Sequence, residues 1–450
     1  MVFGESKMIL VKGGTFQMGS PSSERMRDED EKQHSVTVSD FYCDAYEVQQ
    51  QDYEKLMGKN PSVFKGAKLP VENVSWFDAI EYCNKKSESE GFEKVYEISG
   101  SGRTASVNFK RSANGYRLLT EAEWEYACRA GTATIFNTGN WNNPKDANYE
   151  GSYPYLIEEN YVHHTNANVQ PRQNRGTTIE AGSLKPNAFG LYDMHGNVSE
   201  WVFDFYGDYS EENLNPCGVQ TGTLRVNRGG GYNDFGKHLR SAYRSAANPI
   251  DTDQNTGFRI ARNGLNVKAS DFKTTYDSKI GAIKIPQNPK VLVVYYSYSG
   301  NTESAANYIY EKLKADNKIQ KVDLVEIEMV NPYRGGIYDV TQKDLMNQTR
   351  PPLKTKISNI EQYDVILLGY PTWWATLPMP VVTFLESYDF SGKSVFSFSS
   401  HGGTMFGDSV SDLSKKLPQS YVGCAFEFFY GGGRDLHARI DQWLKEETGF

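Results

Sequence analysis

Residues 290–305, KVLVVYYSYSGNTESA, constrain what this chain can fold into more than any other stretch. Val291 to Tyr295 is an apolar and aromatic run, too short for a helix and rich in β-branched side chains, as expected of a strand buried on both faces of a parallel sheet. Ser297-Tyr298-Ser299-Gly300-Asn301-Thr302 breaks the run, and a helical pattern starts at Glu303. Strand, hydroxyl-rich turn and helix N-terminus together predict an anion site, because the first N–H groups of a helix have no partner inside it and carry the positive end of its dipole. No Lys or Arg lies in the turn, so the expected phosphate is held by hydroxyls and amides. A nucleoside-triphosphate loop needs Gly-Lys-Ser/Thr, and a dinucleotide loop needs three glycines where this turn has one. A phosphate monoester is what remains.

Further strand-like runs sit at Val322–Glu328, Val365–Gly369, Ser394–Ser399 and Tyr421–Phe428, with helical patterns at Glu303–Lys314, Pro380–Tyr388 and Gly433–Lys445. Strands alternating with helices predict an α/β doubly wound parallel sheet. Residues 331–356 read as an insertion, a loop with a short helix. Such sheets bind ligands beyond the carboxyl ends of their strands, where the strand order reverses. Two more turns fall at those ends. Gly369-Tyr370-Pro371-Thr372-Trp373-Trp374-Ala375 carries adjacent tryptophans that a flat ring partner would bury. Ser399-Ser400-His401-Gly402-Gly403-Thr404 has glycines that let backbone N–H groups approach a ligand.

These three turns resemble those of the flavodoxin-like family, over residues 288–450. The resemblance implies FMN. Ser297, Ser299, Asn301 and Thr302, with the amide of Gly300, are expected around the 5′-phosphate, and Trp373 or Trp374 is expected to stack on the isoalloxazine. Pro371, Thr372 and Ala375 on one turn, and Ser399, His401, Gly402, Gly403 and Thr404 on the other, are expected along the polar edge of the ring. A phosphate held without cations, in a chain of net charge −8, predicts a low redox potential.

Residues 1–263 are another kind of sequence, rich in Gly, Asn, Asp and Tyr with short apolar runs, as in a loop-dominated α+β domain. Two helices are legible. Trp76, Ala79, Ile80 and Cys83 share one face behind a Ser75 cap; Thr120 and Glu123 form a capping box ahead of Trp124, Ala127 and Cys128. VKGGTFQMG at Val11, PVENVSW at Pro70, YRLLTEAEWE at Tyr116, GLYDMHGNVSEW at Gly190, RGGG at Arg228 and GFR at Gly257 follow in order. Together they resemble the formylglycine-generating enzyme (sulfatase-modifying factor) family, whose domain has a C-type-lectin-like fold; Leu119 stands where that family has Pro.

The resemblance implies a copper-binding cysteine pair just before an Arg-rich turn. Gly236 to Ala246 keeps Arg240 and Arg244 but holds no cysteine, and His238 with Ser241 does not replace two thiolates around soft Cu(I). Formylglycine synthesis is therefore not expected. The resemblance also implies a calcium loop, with Glu200 and the carbonyls of Gly196 and Val198 as ligands; a second calcium stretch, Ala147 to Tyr149, lacks its aspartate partner near Gln173 to Arg175. His163-His164 has no carboxylate partner in sequence, and Phe203, Phe205, Tyr206 and Tyr209 suit either a core or a binding surface.

Residues 264–287 read as a linker, with a short strand over 281–286. The five cysteines are odd in number and show no C-x-x-C spacing, which predicts free thiols in a reducing cytoplasm. The acidic balance argues against nucleic acid, no run reaches membrane-spanning length, and the N-terminus shows no signal peptide. The expected function is FMN-dependent electron transfer or reduction, with an unidentified redox partner and an unknown ligand or protein for the N-terminal domain. The alternatives are a binding module joined to a redox-sensing flavodoxin, and an oxidative modifying enzyme fed by the flavin.

Overall fold

The structure is a computed structural model and describes residues 7–100, 105–155, 174–265, 267–272, 276–279, 285–448 and 450. His163, His164 and the first four residues of the strand expected over 281–286 lie outside the described residues. The chain divides into two compact units, Met1–Ile280 and Gly281–Phe450.

In the first unit the strands are short, because apolar residues come in runs of two to five between turn residues. One sheet runs Met8–Val11, Phe41–Asp44, Ile260–Asn263, Arg117–Leu118, so the ends of the unit meet on either side of one strand. A second runs Ser245–Ala247, Arg225–Arg228, Ser199–Phe205, Thr256–Phe258. Helix Trp76–Ser89 has a reciprocal cap between Ser75 and Asp78, and helix Glu121–Arg129 has one between Thr120 and Glu123. Their apolar faces fill two cores, Trp76, Ala79, Ile80 and Cys83 in one and Trp124, Ala127 and Cys128 in the other. Helix Gln50–Met57 was not legible, since only Gln50 and Tyr53 of its residues are buried and no apolar stripe marks it. Strand Tyr276–Lys279 pairs antiparallel with Ser106–Phe109, so part of the stretch read as linker is tied by backbone bonds to the first unit. Its polar composition lacks the alternation that would have marked a strand.

The second unit is a parallel sheet of β1 (Lys290–Tyr295), β2 (Lys321–Glu326), β3 (Val365–Pro371), β4 (Ser394–His401), β5 (Tyr421–Val422) and β6 (Phe426–Phe429). The order is β2-β1-β3-β4-β5, with β6 pairing further along β4. Helices α1 (Asn301–Lys314), α2 (Ile337–Met346), α3 (Met379–Glu386), α4 (Ser409–Lys416) and α5 (Leu436–Trp443) complete it. Alternation along the strands splits two cores: Leu292, Val294, Ile366 and Leu368 pack with α3 and α4, and Val291, Val293, Val365 and Leu367 pack with α1 and α5. That two-sided burial explains the unbroken apolar runs.

The single strand expected over Tyr421–Phe428 is two. A Cβ on Gly423 would stand 2.2 Å from the Phe396 ring, so the chain bends away from β4 there and rejoins it at Phe426. Helix α4 was not foreseen, because SVSDLSKK buries two serines among its inward residues and shows no apolar stripe. Strand order reverses between β1 and β3, and the turns after β1, β3 and β4 all leave the carboxyl edge of the sheet there.

Candidate functional site

The turn after β1 runs into α1 through Gly300, whose φ of +85° is the left-handed conformation that favours glycine. Its N–H donates to Ser297 Oγ at 3.2 Å, and no side chain caps the helix. The first-turn N–H groups of α1 are thus directed at the turn. Thr302 is buried, and its Oγ1 lies 2.9 Å from Ser400 Oγ at the end of β4. Gly369 of β3 packs close beside this contact: a Cβ there would stand 2.4 Å from the Phe398 ring and 3.0 Å from Thr302 Cγ2. Thr372 N donates to the Ser400 carbonyl at 2.8 Å, which ties the turn after β3 to the same edge. The phosphate turn, tryptophan turn and glycine turn therefore come together as the topology predicts.

The tryptophans of the turn after β3 pack against neighbouring aromatic residues and the insertion. Trp373 is half-buried, with its ring edge-on to Tyr296 at 5.6 Å and to Tyr298 at 6.0 Å, and 6.0 Å from Tyr333 of the insertion. Trp374 sits at φ +54° and donates from Nε1 to Thr341 Oγ1 on α2 at 3.0 Å. The 331–356 insertion is thus a wall of the site, packed on both indoles. Trp374, Ala375 and Met405 all have positive φ without being glycine. Such backbone strain persists only where packing over-determines it, and it clusters at ligand clamps.

The glycine turn is closed by His401, whose buried ring pairs with Glu427 of β6. Three hydroxyl oxygens at this edge, Thr372 Oγ1, Ser399 Oγ and Thr404 Oγ1, are buried and have no hydrogen-bond partner among the described residues. A buried hydroxyl without a partner costs about 1–3 kcal/mol, so three together mark a place where polar atoms are supplied from outside the chain. Sequence reasoning missed the loop after β6. A Cβ on Gly431 would stand 3.8 Å from Asn301 Oδ1, and Tyr430 Oη is 3.2 Å from where a Cβ on Gly402 would be. The run of glycines at 431–433, after a strand end, was the available signal.

In the first unit the surviving arginines are held in internal ion pairs. Arg240 forms paired bonds of 2.6 and 2.7 Å with Glu31, and Arg244 forms paired bonds of 2.7 and 2.8 Å with Glu121, all buried. Burial alone would lower the Arg240 guanidinium, and the Glu31 carboxylate outweighs it, holding the group above its ordinary value. Ser241 Oγ lies 3.8 Å from Cys128 Sγ, which in turn lies 3.7 Å from His195 Nε2. His195 is already satisfied, with Nδ1 on the Leu239 carbonyl at 2.7 Å and Nε2 accepting from Asn137 N at 3.0 Å. Burial pushes the Cys128 thiol up to about 12 and holds the His195 imidazolium down to about 4, so the neighbours are a neutral thiol and a neutral imidazole. Phe203 and Phe205 are core; Tyr206 and Tyr209 stack on the Arg244 guanidinium.

The Glu200 arm of the calcium expectation is already engaged within the chain. Glu200 is buried with both oxygens committed, to Arg259 at 2.8–3.2 Å and to Trp124 Nε1 at 2.9 Å. A buried carboxylate already compensated by a guanidinium gains less from a cation. Gly196 and Val198 stand in the same loop, their N–H groups bound to the Gly229 carbonyl and Glu47 Oε1. Among the described residues no group of three or more His, Cys, Asp or Glu side chains is placed to hold a metal ion.

A parallel sheet of this order, with three turns gathered at its reversal point, defines the second unit as a flavodoxin domain, and residues 290–426 match flavodoxin. The chain belongs to the sulfatase-modifying factor enzyme 1-like family, whose domain matches residues 3–264. Chaperone protein LppX of Paenibacillus barcinonensis is 34% identical over 273 residues, 57% of this chain and 89% of that one. Formylglycine-generating enzyme of Mus musculus is 29% identical over 299 residues, 58% of this chain and 76% of that one. A solved flavoprotein in complex with FMN from Lactobacillus acidophilus NCFM is 23% identical, over 34% of this chain and 98% of that one, with a TM-score of 0.28. No helix among the described residues is long and apolar enough to cross a membrane.

Proposed function

We propose that the chain is an FMN-binding electron-transfer protein or reductase, with a sulfatase-modifying-factor-like unit that does not make formylglycine. The observation that carries this reading is the set of unpartnered buried hydroxyls, Thr372, Ser399 and Thr404, gathered at the edge where the uncapped α1 N-terminus opens. The site fits FMN on those grounds. Ser297, Ser299, Asn301 and Thr302, with the first-turn N–H groups of α1, hold the phosphate. Thr372 and Thr404 meet the polar edge of the ring, and the 331–356 insertion bounds it through Trp373 and Trp374. When bound, FMN supplies one- and two-electron redox chemistry, and the chain sets its potential by hydrogen bonding and by excluding water.

The five cysteines are free and buried, which suits a reducing compartment such as the cytoplasm. A relative named as a chaperone favours reading the first unit as a protein-binding module that brings the flavin to its redox partner. The full chain is expected to purify yellow, to release FMN rather than FAD on denaturation, and to oxidise NAD(P)H with quinone acceptors. A colourless chain that takes up no added FMN overturns the reading.

A further inference from the structure

His401 closes β4 with its ring buried and the Phe429 ring edge-on at 5.9 Å. Its Nδ1 accepts from two backbone amides, Gly403 N at 3.0 Å and Met405 N at 3.2 Å. A ring nitrogen that accepts twice carries no proton, so the imidazole proton is assigned to Nε2, where it is donated to Glu427 Oε2. Glu427 stands on β6 beside Ser399 of β4, and its backbone carbonyl accepts from Arg439 Nη2 of α5 at 2.9 Å. The carboxylate thus selects the tautomer that leaves Nδ1 free to accept.

The two clipped amides flank Thr404. Drawing both onto one nitrogen wraps the turn around the imidazole, with Gly403 at φ +127° and Met405 at φ +52°. Thr404 is left at the apex, its hydroxyl without a partner. The geometry points to His401 as the positioning residue of the turn that meets the flavin, with Glu427 fixing its tautomer; this rests on the FMN reading above. The ring touches no ligand in this role. It sets the direction of the Thr404 N–H and hydroxyl, and so the affinity and the midpoint potential of the flavin. Removal of the Nδ1 acceptor releases both amides and loosens the turn.

The test is FMN titration of the flavin-free full chain, with midpoint potentials, at neutral pH. Four proteins are compared: wild type, His401→Asn, His401→Ala and Glu427→Ala. Asparagine offers Oδ1 close to the position of Nδ1. His401→Asn is expected to bind FMN within about threefold of wild type with an unchanged potential; His401→Ala is expected to bind at least about tenfold more weakly, with a shifted potential. Glu427→Ala, at a half-exposed side chain that leaves position 401 intact, is expected to bind about threefold more weakly at neutral pH. It reads the same turn should the alanine variant at 401 fail to fold. Alanine variants at 401 and 427 that match wild type in affinity and potential overturn the inference while leaving the FMN reading in place. A wild type that takes up no FMN overturns both.

Discussion

Thr302 Oγ1 and Ser400 Oγ lie 2.9 Å apart and join the start of α1 to the end of β4, two elements separated by 98 residues of sequence. The contact lies beside Gly369 and fixes where the α1 N-terminus points. Thr302→Val keeps the shape and removes the hydroxyl, and is expected to weaken FMN binding by about 1.5–3 kcal/mol, the worth of a hydrogen bond to a charged group. Ser299 is exposed, so Ser299→Glu adds a carboxylate to the turn without disturbing the core. It is expected to cost about 2–4 kcal/mol, or about 30- to 1,000-fold in Kd, from uncompensated like charge against the phosphate. Fluorescence titration of FMN measures both; unchanged affinity in the Ser299 variant would show that the phosphate sits elsewhere.

Glu200 and Arg259 are each fully buried and joined at 2.8 Å as an internal ion pair. Arg259→Met leaves the carboxylate with Trp124 Nε1 alone and is expected to destabilise the first unit by about 3–5 kcal/mol. Urea unfolding followed by tryptophan emission reports it. Because Glu200 is committed to the guanidinium, millimolar calcium and EDTA are expected to leave the Tm of the wild type unchanged; a calcium-dependent rise in Tm would return Glu200 to the role of ligand.

The second unit was legible because its signals are local. A five-residue apolar run needs two covering layers, and SYSGNT needs the backbone of a helix start, so strand and turn follow from neighbouring residues. What escaped lay in contacts between distant segments. Nothing in the sequence says that Trp373 and Trp374 pack on Tyr333 and Thr341, or that Tyr430 reaches across to Gly402. The first unit resists such reading for the same reason. Arg240 and Glu31 stand 209 residues apart, and only the folded chain shows that these charges are internal pairs rather than a surface for substrate.

Asp204 is buried at the start of helix Glu121–Arg129, where its Oδ2 accepts from Glu121 N at 2.8 Å. Burial, with the Glu121 carboxylate close by, pushes its carboxyl up to about 7 from an ordinary 3.8. The folded state therefore binds a proton here that the unfolded state has released. The resulting stability is fully present below about pH 4 and is lost as pH rises through about 7. Asp204→Asn keeps the acceptor and cannot ionise. It is expected to remove a fall in unfolding free energy on the order of 2–4 kcal/mol between pH 5 and 8, measured by denaturant titration at each pH. A variant with the slope of wild type would show that Asp204 ionises freely in the folded chain.

Cys128 Sγ reaches Ser241 Oγ at 3.8 Å, inside the stretch where the resemblance to formylglycine-generating enzymes implies a copper-binding cysteine pair. A thiol pushed up to about 12 by burial supplies no thiolate at neutral pH, and a serine hydroxyl does not hold Cu(I). The other four cysteines are also free and buried, and Cys43, Cys83 and Cys217 are likewise raised by burial. Two outcomes are expected. A thiol reagent labels none of the five cysteines in the native chain and all five after unfolding. A cysteine-containing sulfatase peptide keeps its full mass after incubation with the chain, with or without copper. Loss of the mass that separates thiol from aldehyde would show that Cys128 finds a partner thiol and that the family's chemistry survives by another route.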